Sequence, residues 1–290
     1  MSYVIIADSG CDVAHDLLEA WHVATASMHF RFEGEPGEYD NTTMPAADFY
    51  RRMREGASPK TSAVNADAFE AVFEPALQAG QDILYIGFSG GLSTTFNCAR
   101  IAAEELLMKY RGHRILLVDS LSGSLGTGLL VHMAVLEKEA GANLDEAYQR
   151  ISERAKKLNS WFTVDDLSYL RRGGRISAAA AIAGSTLNIK PIIRTDDTGH
   201  LVSAAKAIGR KAALKMLVQK FMSLAEDAGK CLYCIAHSDC REDALSVEEQ
   251  IVKLTGNHAV LVGDIGAVVG SHCGPGTVAL FFVGREALKP

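Results

Sequence analysis

The residues best suited to chemistry lie between Asp82 and Arg100, in the run DILYIGFSGGLSTTFNCAR. An apolar strand pattern, Ile83 to Ile86, breaks at Gly87, passes through Ser89, Gly90, Gly91, Ser93, Thr94 and Thr95, and then turns helical. In an α/β sheet the turn after a strand opens onto the crevice where ligands bind. This turn offers hydroxyls and backbone N–H groups but no charged side chain, so it suits an anion held by hydrogen bonds and a helix N-terminus. A second hydroxyl-rich loop, Ala57 to Asn65 (ASPKTSAVN), carries Thr61 and Ser62 ahead of the amphipathic run Ala66 to Ala79. Alone, each set reads as helix caps worth about 1 kcal/mol. Two such loops at strand-to-helix junctions of one sheet could face the same crevice, which favours a shared head-group site.

Other groups invite weaker readings. His272 sits in GAVVGSHCGPG, read as a loop in which Gly270, Gly274, Pro275 and Gly276 bring the backbone close to something. An imidazole there can orient a hydroxyl. Arg171, Arg172 and Arg175 flank Gly173-Gly174 and form the one dense cationic cluster, either a solvated helix end or a docking point for a negative surface or phosphate. Cys231, Cys234, His237 and Cys240 recur at three-residue intervals, but CLYCIA reads as a buried strand in which residues three apart face opposite sides. Core thiols are the better reading, and no metal is expected. Ser93 with His272 could make a serine esterase or thioesterase. However, Gly91-Leu92-Ser93-Thr94-Thr95 lacks the final glycine of a nucleophile elbow, and no acid is evidently placed to orient the histidine. Neither a P-loop nor a dinucleotide fingerprint occurs.

The elements that position these groups change character midway. Up to about residue 160 the chain alternates strand, loop and helix, with strands at Tyr3 to Ala7, Ile83 to Ile86 and Arg114 to Val118. That pattern implies a parallel sheet flanked by helices. Beyond it come a strand at Trp161 to Val164, a hairpin of Leu187 to Ile193 with His200 to Ala204, a helix over Lys206 to Ala225, and strands at Cys231 to His237, Val260 to Val262 and Val278 to Val283. The expected fold is α/β in two domains, residues 1–160 with the parallel sheet and residues 161–290 forming a smaller α+β domain. The 290 residues carry a net charge of −6, 48% apolar and 22% charged residues. No basic field argues for nucleic acid or an acidic membrane surface. The N-terminus MSYVIIADSGCD has no basic n-region, and no uncharged stretch is long enough to span a bilayer, so a cytoplasmic protein with reduced cysteines is expected.

Taken together, the motifs resemble those of the DegV family. FSGGLSTTFNCAR is similar to the family block S-x-x-L-S-G-T-Y-x-x-A, and Thr61-Ser62 to its T-S-x-P-S loop. IIADSGCD, LSYLRRGGRIS, LNIKPII and GSHCGPG resemble further blocks in the same order along nearly the whole chain. The sequence departs at Ala63-Val64-Asn65 for Q-P-S, at Thr94 for Gly and at Phe96 for Tyr. The resemblance implies a bacterial two-domain protein, without catalysis or cofactor of its own, that holds one long-chain fatty acid between its domains. It implies a carboxylate bound by hydroxyls of Thr61 or Ser62 and of Ser93, with Thr94 and His272 completing the site. It further implies presentation of that carboxylate to a separate ATP-binding fatty acid kinase subunit, which makes acyl phosphate for phospholipid synthesis. Arg171, Arg172 and Arg175 would face that partner, with at most transient membrane contact. A lipid-sensing regulator is the remaining alternative. Small residues of Ala178 to Leu187 are expected to line the acyl tunnel.

Overall fold

A computed structural model describes residues 2–176 and 188–289. Its first sheet is built from β1 (Tyr3–Asp8), β2 (Val23–Ala26), β5 (Asp82–Gly87) and β6 (Ile115–Asp119), in the order β2-β1-β5-β6 and parallel throughout. All six residues of β5 are buried, as a strand covered on both faces requires. Its side chains alternate between two cores. Ile83 and Tyr85 pack with Phe69 and Phe73 of α3 (Ala66–Gln78) and Ala99 and Ala102 of α4 (Thr95–Lys109). Leu84 and Ile86 pack with Leu129 and Leu130 of α5 (Leu125–Glu139) and Ile151 of α6 (Leu144–Ala155).

The second sheet contains β7 (Leu158–Thr163), β8 (Ile189–Thr195), β9 (Leu201–Ile208), β10 (Tyr233–His237), β11 (Leu261–Asp264) and β12 (Val278–Val283). Among the described residues it has six strands, ordered β11-β10-β12-β7-β8-β9, with only β10 and β11 parallel. One face is covered by α8 (Arg210–Leu224) and α9 (Arg241–Thr255), through Leu217, Phe221, Val247 and Ile251. The other face turns towards α5, so Phe162, Ala236, Ala279 and Phe281 share a core with the first sheet. Helix α5 therefore lies between two sheets, and ten of its residues are buried. Up to Val135 it is apolar on nearly every side, as a helix packed between two layers must be, and only its last turn, with Leu136 and Glu139, reaches solvent. Gly126 makes its fit possible: a Cβ there would lie 2.6 Å from the Phe281 ring and 2.1 Å from Ser122 Oγ.

Three expectations change. Ala57 to Asn65 is not loop throughout: Pro59–Ser62 forms β4, antiparallel to β3 (His29–Phe32), with Thr61 opposite Phe30. The pairing partner makes that strand, since PKTS has no apolar alternation of its own. The stretch Gly266 to Gly276 contains a helix, with Ala267–Cys273 helical. Gly270 sits inside that helix because Tyr50 of α2 (Ala46–Arg54) packs against it, 2.2 Å from where a Cβ would be. The hairpin strand β9 runs on to Ile208, which pairs with Ile189, and ends at Gly209 with φ +84°. The proposed tunnel segment Ala178 to Leu187 lies outside the described residues. Among the described residues no helix is long and apolar enough to cross a membrane.

Candidate functional site

The hydroxyl-bearing turn follows β5 at the carboxyl end of the parallel sheet, and two acids, Asp8 buried and Asp119 half-buried, hold its start. Asp8, at the end of β1, accepts from Phe88 N at 2.8 Å, Tyr85 Oη at 2.7 Å and Gly10 N at 3.0 Å. Asp119, at the end of β6, accepts from Gly90 N at 3.0 Å and Leu121 N at 2.9 Å. Burial raises the Asp8 carboxyl to about 6, against the opposing pull of the Phe88 N–H and Tyr85 hydroxyl. Ser89 donates to Gly199 O at 3.0 Å, which fastens the turn to the β8–β9 hairpin of the second sheet. Asp8 is not among the residues singled out from sequence; the signal for it is an acid ending an otherwise apolar strand.

The turn has little spare backbone to offer an anion. Ser89 N donates to Ser122 O, Gly91 N to Ser89 Oγ, Leu92 N and Ser93 N to Ser89 O, and Thr95 N to Ser93 Oγ. The expectation of N–H groups free to hold an anion is corrected for these positions. A tight turn consumes its own donors, and the side-chain hydroxyls are what it presents.

Thr61 and Ser62 point opposite ways, as successive residues of a strand must. Thr61 Oγ1 lies 2.9 Å from His272 Nε2, while Ser62 Oγ donates to Glu38 Oε1 at 3.1 Å. Ser93 Oγ is 2.9 Å from Thr95 Oγ1, which itself accepts from Val64 N at 3.3 Å and so ties the two hydroxyl loops together. Thr95 N–H donates to Ser93 Oγ, and either hydroxyl can donate in the Ser93–Thr95 pair; with Thr95 as donor, Ser93 keeps its own proton for a ligand. Thr94 is exposed at the rim. Thr95, fully buried, is the connecting residue that sequence reading treated only as a cap.

His272 lies in the last turn of α10 (Ala267–Cys273). Its Nδ1 is buried without a hydrogen-bond partner, against Gly173, where a Cβ would come within 2.3 Å. Burial, and behind it the charge of Arg175, push this imidazole down to about 4. It is therefore neutral near pH 7, and with the proton on Nε2 it donates to Thr61, whose own hydroxyl proton is left for an anion. Between about pH 6.5 and 4 the unfolded chain carries a proton here that the folded protein lacks. Stability is expected to fall across that window as pH drops, by up to about 3 kcal/mol from this group. Denaturant melts of wild type and His272→Gln should differ in slope there, and parallel losses would refute the assignment.

The arginine cluster divides. Arg171 and Arg172 are exposed, and Arg172 lies over the Tyr169 ring at 4.6 Å. Arg175 turns inward, donating from Nε to Leu92 O at 3.1 Å and from its guanidinium to Gly173 O. A triad reading finds no support in this arrangement. His272 Nε2 is bonded to Thr61, and no carboxylate meets Nδ1 among the described residues. Nor do the described residues contain a cluster of three or more side chains able to hold a metal. Burial raises the Cys231 thiol to about 11 and those of Cys234 and Cys240 to about 12, so they stay protonated and poor ligands.

Between the two sheets lies a cavity of about 520 Å³, within the range of small-ligand sites. Thr61, Ser62, Ser93, Thr94, Arg175 and His272 are among its polar lining, and Met28, Phe88, Phe162, Leu201, Val268 and Phe281 are among its apolar walls. A recess of about 230 Å³ shares Thr61, Arg175 and His272 with it and adds Lys60, Arg172 and Ser271.

The model of the family described as "Uncharacterised protein, DegV family" matches residues 2–285. The chain belongs to the DegV family. A DegV domain-containing protein of Clostridium perfringens, CPE0026, is 41% identical over 286 residues, covering 97% of each chain. A DegV family protein from Thermus thermophilus whose structure concerns fatty acid binding superposes with a TM-score of 0.87 at 28% identity, covering 98% of this chain and 100% of that one. A DegV lipid binding protein from Thermotoga maritima superposes with a TM-score of 0.84 at 25% identity, covering 99% and 100%. The DegV architecture of a parallel sheet with helices, beside a second sheet, is thus the architecture of this chain.

Proposed function

We propose that this DegV family member binds one long-chain fatty acid in the cavity between its sheets and presents the carboxylate to a separate ATP-dependent fatty acid kinase subunit. The observation that carries the reading is the cavity itself, with apolar walls and one region of convergent hydroxyls, Thr61 and Ser93, backed by a neutral His272. Burying roughly ten methylenes at about 0.8 kcal/mol each amounts to about 8 kcal/mol gross, so the tail dominates affinity. The head group then needs orientation more than charge pairing. In this reading residues 1–160 carry the head-group loops and residues 161–290 close the acyl cavity. The protein works in the cytoplasm, uses no cofactor, and leaves the chemistry to its partner.

The cationic recess supports presentation. It adjoins the carboxylate position through Thr61 and His272, the exposed Arg172 lines it, and the exposed Arg171 precedes Arg172 in the chain. Arg171→Glu with Arg172→Glu is expected to lower acyl-phosphate formation by a reconstituted kinase at least ten-fold, through slower association, while fatty acid binding is retained. Equal loss of both would place these arginines in the lipid site instead. Denaturing the purified protein and weighing the released lipid tests the binding reading directly. One long-chain acid per chain supports it, and an empty protein that also takes up no added acid overturns it.

A further inference from the structure

The cavity wall contributed by the second sheet is not uniformly apolar. Trp161 pairs with Arg194 and Phe162 with Ile193, so the same register carried one pair further sets Ser160 opposite Thr195. Ser160 also pairs with Phe281 of β12, and Thr195 with Leu201 of β9. Leu201, Thr195, Ser160 and Phe281 thus form one row across four strands, and all four line the cavity. The two polar members are 2% and 3% exposed, Thr195 and Ser160 respectively.

Their hydrogen bonding is incomplete. Ser160 Oγ shares a proton with Ser122 Oγ of the β6–α5 turn at 2.8 Å, and Ser122 also lines the cavity. Thr195 Oγ1 is buried with no hydrogen-bond partner among the described residues. A buried hydroxyl left without a partner is unfavourable, and an alkyl chain laid against it would keep it so. A hydroxyl can both donate and accept. One placed on the ligand at this depth accepts from Thr195 and donates to the Ser122–Ser160 pair, completing the row.

Resting on the fatty acid reading above, we propose that the cavity is adapted to an acyl chain bearing a hydroxyl group along its length, with Thr195 as the residue that selects it. The head group remains at Thr61 and Ser93. Selection arises because a hydroxyl set against the apolar walls, such as Phe162 and Leu201, loses its water without gaining partners. The depth of this row therefore sets which carbon must carry the oxygen.

The test is displacement of a fluorescent fatty acid by stearic acid and by a set of monohydroxystearic acids with the hydroxyl at successive mid-chain positions. The expected result is a preference for one positional isomer over stearic acid by about five-fold or more, the worth of one net hydrogen bond. Thr195→Val keeps the side-chain shape and should abolish that preference, so that the favoured isomer binds no better than stearic acid to the variant. Thr195→Ser should retain the preference. The lipid-free Thr195→Val protein is expected to melt no lower than wild type, since it removes an unpaired polar group; a purely structural threonine would give a loss. Ser160→Ala provides an independent variant with the same expected loss of preference. Stearic acid binding better than every isomer, or an unchanged ranking in Thr195→Val, overturns the inference while leaving fatty acid binding intact. Failure of every acid to bind overturns both.

Discussion

Ala279→Phe is expected to leave the protein folded and to weaken binding of an eighteen-carbon acid on the order of a hundred-fold. Ala279 lies on β12 opposite Phe162, is buried, and faces the cavity rather than the helices behind the sheet. A phenyl ring projecting there enters empty volume, so the strain that follows overpacking of a filled core is avoided. It takes space from the tail. Excluding three or four methylenes at about 0.8 kcal/mol each removes about 3 kcal/mol. The deficit should shrink with chain length and vanish for acids short enough to stop before the ring. An affinity series across acyl lengths checks this, with melting temperature as the control for folding. The same chain-length preference in wild type and variant would show that the tail does not run along β12.

Thr61→Val is expected to cost ten- to a hundred-fold in fatty acid affinity, through the head group instead of the tail. The hydroxyl lies 2.9 Å from His272 Nε2, and in the proposed function it joins that imidazole to the fatty acid carboxylate. A hydrogen bond to a charged group contributes about 1.5–3 kcal/mol, and valine removes it at constant shape. It also strands the imidazole, whose Nδ1 already lacks a partner, so some loss of stability should accompany the change. Ser62→Ala is the internal control. Ser62 spends its hydroxyl on Glu38 and should change affinity little. Comparing the acid with its long-chain alcohol separates head-group recognition from tail burial, because the alcohol should lose less. Larger damage from Ser62→Ala than from Thr61→Val would invert the assignment.

The two variants act on interactions of different legibility. The hydroxyl turn after β5 could be found from sequence because a fully apolar strand, a glycine break and a helical run leave one place for Ser89 to Thr95. The family blocks could be read because they recur in order along the chain. By contrast, β4 has no apolar alternation, and it exists because Phe30 and Phe32, both buried, fasten β3 against the core and offer it a paired edge. His272 reads as loop because glycine at position 270 looks like a breaker until Tyr50 is seen to occupy the space a Cβ would take.

The sequence by itself determined the α/β character of the first half, the hydroxyl-bearing turn and its helix, the change of pattern near residue 160, and the set of side chains from which a site could be built. Local propensity and hydrophobic period act over a few residues, and these features need no more. Tertiary structure alone decided which of Thr61 and Ser62 meets His272, that Arg175 parts from Arg171 and Arg172 to brace Leu92, and that Ser160 and Thr195 share a row in the cavity wall. Each of those outcomes depends on strand register or on a contact across 80 residues or more. Pairing energies between distant segments set them, and no local pattern encodes such pairings.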